Sequence, residues 1–140
     1  MNHPGDEANL YAGQSPKVRC VVDAYGPVDL TPHGADADQQ ATMQALLGTT
    51  LDADPARYRD ASPLFAVSSA SAPTLIIQGA RDTLVPPSQS QALQQALERA
   101  GVPVQYISYD GDHAFSGLTQ QQIEMLVLEA GPFIAAQELG

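Results

Sequence analysis

The sequence predicts an α/β domain, a three-stranded parallel sheet flanked by helices. Three observations carry that prediction. Residues 18–24 (VRCVVDA), 74–78 (TLIIQ) and 104–109 (VQYISY) are short runs rich in apolar and β-branched residues, each closed by a glycine or a turn. Helix start and stop signals fill the stretches between and after them. Strands alternating with helices favour parallel pairing, because a parallel connection has to cross back over the sheet.

The elements follow in order. Residues 1–16 are polar and rich in Gly, Pro and Asn, which predicts a mobile lead-in to a single domain over 17–140. The first strand, 18–24, is expected to be buried and to stop at Tyr25-Gly26-Pro27, with Cys20 as a small buried strand residue. Residues 39–47 look helical and end at Gly48, and Asp54-Pro55 and Ser62-Pro63 each read as a helix start. The second strand, 74–78, closes at Gly79. Ser88-Gln89-Ser90-Gln91 has the Ser-x-x-Gln capping pattern before a helix that lines up Ala92, Leu93, Ala96, Leu97 and Ala100, with Gly101 just past its end. After the third strand, Thr119-Gln120-Gln121-Gln122 repeats the pattern before a helix bearing Ile123, Leu126, Val127 and Ala130. Gly131-Pro132 is expected to break or kink that helix.

Composition narrows the partners. Six Lys and Arg against 16 Asp and Glu give a net charge of −10, which repels phosphate backbones and anionic membranes. Nucleic acid and lipid surfaces are therefore not expected partners. No apolar run approaches the roughly 20 residues of a membrane span, and the first residues lack a cationic, apolar leader, so a cytoplasmic location is expected. One cysteine excludes an internal disulfide and a cysteine-rich zinc site. Asp36, Asp38, Asp52 and Asp54 lack the Gly and Glu of an EF-hand loop and read as a solvated acidic face. His3 and His33 read as solvated. No metal, organic cofactor or nucleotide-phosphate loop is expected.

Two residues stand out for chemistry. Asp82 follows the second strand in Gly79-Ala80-Arg81-Asp82-Thr83-Leu84-Val85-Pro86, and His113 follows the third in Gly111-Asp112-His113-Ala114-Phe115. Alone, Asp82 reads as a turn aspartate stabilising its own loop and His113 as an ordinary loop histidine. Together, at the carboxyl ends of two strands, they lie on the edge where open α/β sheets bind ligands, and a carboxylate there can orient an imidazole for proton transfer. Asp112 reads as a turn residue facing away. A nucleophile is harder to find, because the chain has no Gly-x-Ser-x-Gly turn. Ser15 is followed by Pro16 and Lys17, Ser88 and Thr119 read as helix caps, and Ser116 shares the loop of His113.

The order acid then histidine, with Val21-Val22-Asp23-Ala24-Tyr25-Gly26-Pro27-Val28-Asp29-Leu30 upstream, resembles the C-terminal half of an α/β-hydrolase. Ala61-Ser62-Pro63-Leu64, Ala72-Pro73-Thr74-Leu75-Ile76-Ile77-Gln78-Gly79, Arg81-Asp82, Val85-Pro86 and Gly101-Val102-Pro103 strengthen the likeness over about residues 17–137. It is nearest the esterase/lipase branch, with acetyl esterases and feruloyl-esterase-like proteins. The resemblance implies a carboxylic-ester hydrolase in which Asp82 is the acid and His113 the general base. It makes the three strands the family's sixth, seventh and eighth, and Tyr25 to Leu30 the loop leading to a cap-like insertion. The family's first five strands, its His-Gly-Gly oxyanion segment and its serine elbow have no counterpart here. Two consequences are expected. The chain is either half of a hydrolase that takes a small ester or a non-catalytic interaction module, and the unpaired edge of strand 18–24 makes it a homodimer.

Overall fold

Strands β1 (Val21–Ala24), β2 (Thr74–Gly79) and β3 (Val104–Tyr109) form an all-parallel sheet in that order in the computed structural model, which describes residues 18–31 and 37–138. Val21 lies opposite Thr74, and Thr74 opposite Val104. β1 is shorter than its apolar run. The first pairing bond is Val21 N–H to the Pro73 carbonyl at 2.8 Å, and Pro73 itself has no N–H to return. Cys20 accordingly sits just ahead of the strand, half-buried rather than inside it.

Alternation along β2 builds two cores, because successive side chains leave a strand on opposite faces. Ile76 packs with Val28, Leu93, Leu97 and Val102. Leu75 and Ile77 pack on the other face with Ile107, Tyr109 and Ala130. Four longer or shorter helices precede or flank these layers: α1 (Ala37–Leu47), α2 (Pro55–Asp60), α3 (Pro63–Ala66) and α4 (Pro87–Arg99), with α5 (Gln120–Glu138) closing the chain. Leu30, Leu47 and Tyr58 form a small third cluster beneath α1 and α2. Burial of β1 is incomplete: Val21 and Val22 remain 41% and 48% exposed, because among the described residues β1 has a neighbour on one side only.

The helix signals are realised unevenly. Asp54 caps α2 by accepting from Arg57 N–H at 3.0 Å, and Thr119 and Gln122 form the reciprocal capping box that opens α5. Ser88 does not cap. α4 starts one residue earlier, at Pro87, whose fixed φ suits a first turn, with Pro86 at the cap position. Ser62 stands at the start of α3 but sends its hydroxyl to the Tyr58 carbonyl and accepts from Leu30 N–H. α5 runs unbroken through Gly131 and Pro132, since packing of Leu126, Ala130, Phe133 and Ile134 onto the sheet outweighs the one ladder bond that proline omits. Val127 points out of that stripe and is exposed. Asp38 and Asp52 are exposed, as expected of a solvated face. Residues 1–16, with His3 and Ser15, and also His33 and Asp36, lie outside the described residues. Among the described residues no helix is long and apolar enough to cross a membrane.

Candidate active site

The parallel sheet sends Asp82 and His113 out of adjacent strand ends, β2 and β3, onto the same edge. Past the strands the two loops keep pairing: Ala80 N–H bonds the Tyr109 carbonyl at 2.8 Å and Arg81 N–H the Gly111 carbonyl at 3.0 Å. Gly79 permits this. A Cβ there would stand 2.7 Å from the Gly111 carbonyl oxygen and 3.0 Å from that of Asp112.

His113 Nδ1 and Asp82 Oδ2 are 2.9 Å apart. The Asp82 carboxyl is buried, with four N–H groups around it. Leu84 and Val85 amides donate to Oδ1 at 3.0 and 2.8 Å, and the Gln78 amide donates to Oδ2 at 3.1 Å alongside the imidazole. A carboxyl so surrounded acts only as acceptor, so Nδ1 carries the hydrogen of that pair. Nε2 is then the lone-pair nitrogen, and it bonds no described residue. The imidazole is partly open to solvent, while the Asp82 side chain is wholly covered.

Asp112 departs from the expectation that it faces away. Its Oδ1 accepts from His113 N–H at 2.7 Å and from Thr83 N–H at 2.9 Å, so it ties the loop of His113 to the loop of Asp82. Those two amides, Thr83 first, hold its carboxyl below the usual carboxylate range. Tyr109 braces the same loop: its hydroxyl donates to the Asp112 carbonyl at 3.0 Å and accepts from Phe115 N–H at 3.2 Å. Burial, with a smaller push from Asp82 and other nearby groups, raises its phenol above the ordinary value.

Three non-glycine residues have positive φ among those described: Tyr25, Ala114 and Phe115. All three converge here. The Tyr25 ring meets His113 edge-on at 4.7 Å and Phe115 at 5.3 Å. Left-handed backbone is costly for such residues and persists where surrounding structure enforces it, often around sites. Ser116 gives its backbone N–H to the His113 carbonyl, and its side chain is exposed. Among the described residues no hydroxyl bonds to His113 Nε2.

The structure sets Asp82 and His113 side by side and adds to them Tyr25, Gln78 and a bridging Asp112, none of which the sequence marks in that position. Gln78 had a signal, a polar side chain ending an otherwise apolar strand. Tyr25 had none, because nothing in Ala24-Tyr25-Gly26 announces a left-handed aromatic.

The BD-FAE family model matches residues 3–97, about two-thirds of the chain and including Asp82. The chain belongs to the BD-FAE family. Esterase LipC of Mycobacterium tuberculosis is 33% identical over 103 residues, covering 69% of this chain and 25% of LipC. A homoserine O-succinyltransferase of Litchfieldella anticariensis is 43% identical over 60 residues, 43% of this chain and 15% of that protein. A truncated carbohydrate esterase from gut microbiota superposes with a TM-score of 0.71 at 27% identity, over 88% of this chain and 44% of that one. This BD-FAE chain thus spans a quarter or less of those two curated relatives and under half of the solved esterase. Its three-stranded parallel sheet is part of an α/β-hydrolase fold of the esterase type.

Proposed function

We propose that this chain is the acid–base half of a carboxylic-ester hydrolase, with His113 as general base and Asp82 as the group that orients it. The 2.9 Å contact between a buried, donor-saturated carboxyl and a half-open imidazole carries the reading. In that role Nε2 takes the proton of a serine hydroxyl as its oxygen attacks the ester carbonyl, then returns it to the departing alcohol oxygen. Asp82 stabilises the imidazolium in between. Water repeats the cycle to free the acid. The serine and the oxyanion donors come from outside this chain, and such donors alone are worth about 3–4 kcal/mol of barrier. The substrate is a small ester, and no cofactor takes part.

Hydrolysis of p-nitrophenyl acetate tests the reading on this chain combined with the serine-bearing half of a related esterase. His113→Ala abolishes turnover there, whereas Ser116→Ala leaves it intact. Loss of turnover with Ser116→Ala would transfer the nucleophile role to this chain's own loop.

A second reading is favoured by β1, whose outer edge pairs with no described residue and whose Val21 and Val22 are exposed, a template for pairing. The isolated chain self-associates there with a second copy, forming a continuous sheet across a twofold axis, and serves as a non-catalytic interaction module. Size-exclusion chromatography at micromolar concentration reads a dimer that Val22→Lys converts to monomer. A clean wild-type monomer ends this second reading.

A further inference from the structure

Behind the acid lies a buried polar chain that the hydrolytic reading does not use. Gln78 and Ser90 are both fully inaccessible, Gln78 at the end of β2 and Ser90 in the first turns of α4. The Ser90 hydroxyl donates to Gln78 Oε1 at 2.7 Å. Gln78 Nε2 faces three oxygens: Asp82 Oδ2 at 3.1 Å, the Val85 carbonyl at 3.1 Å and the Gly79 carbonyl at 3.3 Å.

That arrangement has one chemically acceptable orientation. Rotating the amide by half a turn would set Oε1 against three acceptors and take the amide's N–H from each of them. The Ser90 hydroxyl closes the other end and removes the remaining freedom. An apolar residue at this position would leave Oδ2 with the imidazole as its only donor. Burial makes a satisfied network of this kind rigid, because each broken bond strands a polar group away from water.

We propose that Gln78 and Ser90 are positioning residues for the acid–base pair: Ser90 fixes the Gln78 amide, the amide fixes Oδ2 of Asp82, and Oδ2 thereby holds His113 Nδ1–H in line. This inference rests on the reading of Asp82 and His113 as that pair. Gln78 and Ser90 touch neither substrate nor the reacting atoms. Their effect is transmitted through one carboxyl oxygen, and it reaches α4, an element otherwise given to packing the sheet.

The test is a spectroscopic one on the whole chain. A ring N–H held by a buried carboxylate gives a downfield proton resonance protected from water exchange, assigned to His113 by its disappearance in His113→Gln. Asp82→Asn abolishes it. Gln78→Met and Ser90→Ala each shift it upfield and speed its exchange, while Ser90→Thr, which keeps the hydroxyl, restores wild-type position and exchange. Ser90→Ala is the milder change and decides the matter if Gln78→Met does not fold. A purely structural role would lower the melting temperature in Ser90→Ala and leave the resonance where it was, and that result overturns the proposal. Failure of the pair itself looks different: the resonance is absent in wild type or indifferent to Asp82→Asn, and then both readings fall.

Discussion

Replacing Gly79 by alanine tests whether close approach of two backbones is what brings Asp82 and His113 together. The added methyl would lie 2.7 Å from the Gly111 oxygen, 3.0 Å from the Asp112 oxygen and 3.1 Å from the Tyr109 hydroxyl. Two of these are main-chain atoms on the loop that carries His113, so no side chain can swing aside. Reaching even the 3.0–3.4 Å of a tight contact requires the loops to part by about 0.3–0.7 Å. Overpacking of this kind costs about 1–3 kcal/mol. Against it stands the gain of about 0.4–1 kcal/mol that alanine brings by restricting the unfolded chain. At the middle of both ranges the clash wins by about 1.3 kcal/mol, which at about 2–4 °C per kcal/mol lowers the melting temperature by roughly 3–5 °C. The same displacement lengthens the 2.9 Å Asp82–His113 contact, so the protected imidazole proton also exchanges faster. Thermal unfolding by circular dichroism, paired with that proton signal, reads both effects. A variant that melts at or above the wild-type temperature with its imidazole signal unchanged would refute the reasoning.

Three further outcomes follow from the packing and the charges. Ile76→Ala, at a fully buried position touching Val28, Leu93, Leu97 and Val102, costs about 2–5 kcal/mol in urea unfolding at constant slope; a loss below about 1 kcal/mol would mean that the cluster is not a core. Ser62→Ala strands the buried Leu30 N–H and removes a bond to the Tyr58 carbonyl, lowering stability by about 1–3 kcal/mol in the same assay; an unchanged midpoint would deny that hydroxyl its bracing role. Asp23 has one oxygen on the Gly26 amide and the other buried without a partner, and burial pushes its carboxyl above the ordinary value. Its charged form is therefore disfavoured in the fold, a penalty present at neutral pH and absent below the unfolded value of about 3.9. Asp23→Asn thus raises the melting temperature at neutral pH by an amount that vanishes toward about pH 4, and a pH-independent difference would contradict it.

The fold was legible in the sequence where local chemistry and tertiary demand agree. Thr74 to Gly79 reads as a strand because its neighbours on both sides bury it, and Leu93 and Leu97 mark the inner face of α4. Asp82 and His113 were legible because strand ends announce themselves and parallel order fixes which ends are adjacent. What escaped depends on distant partners. Ser88 has a cap's sequence, yet Pro87 sets the helix start first. Pro132 reads as a breaker, yet Phe133 and Ile134 hold the last turns on the sheet. Ser90 looks like an ordinary helix serine until β2 lays Gln78 beside it.

Every covalent support of the Asp82–His113 pair comes from β2, β3 and the loops that follow them, whereas Tyr25 reaches His113 from the end of β1. Among the described residues β1 is held on one flank, by β2. Loosening therefore proceeds in two stages: the strand at the rim peels away with its aromatic wall, and the imidazole stays clamped to its carboxylate. Amides of Val21 to Tyr25 accordingly trade hydrogen for deuterium well before those of Thr74 to Gly79. The Asp82–His113 contact outlasts the wall built against it.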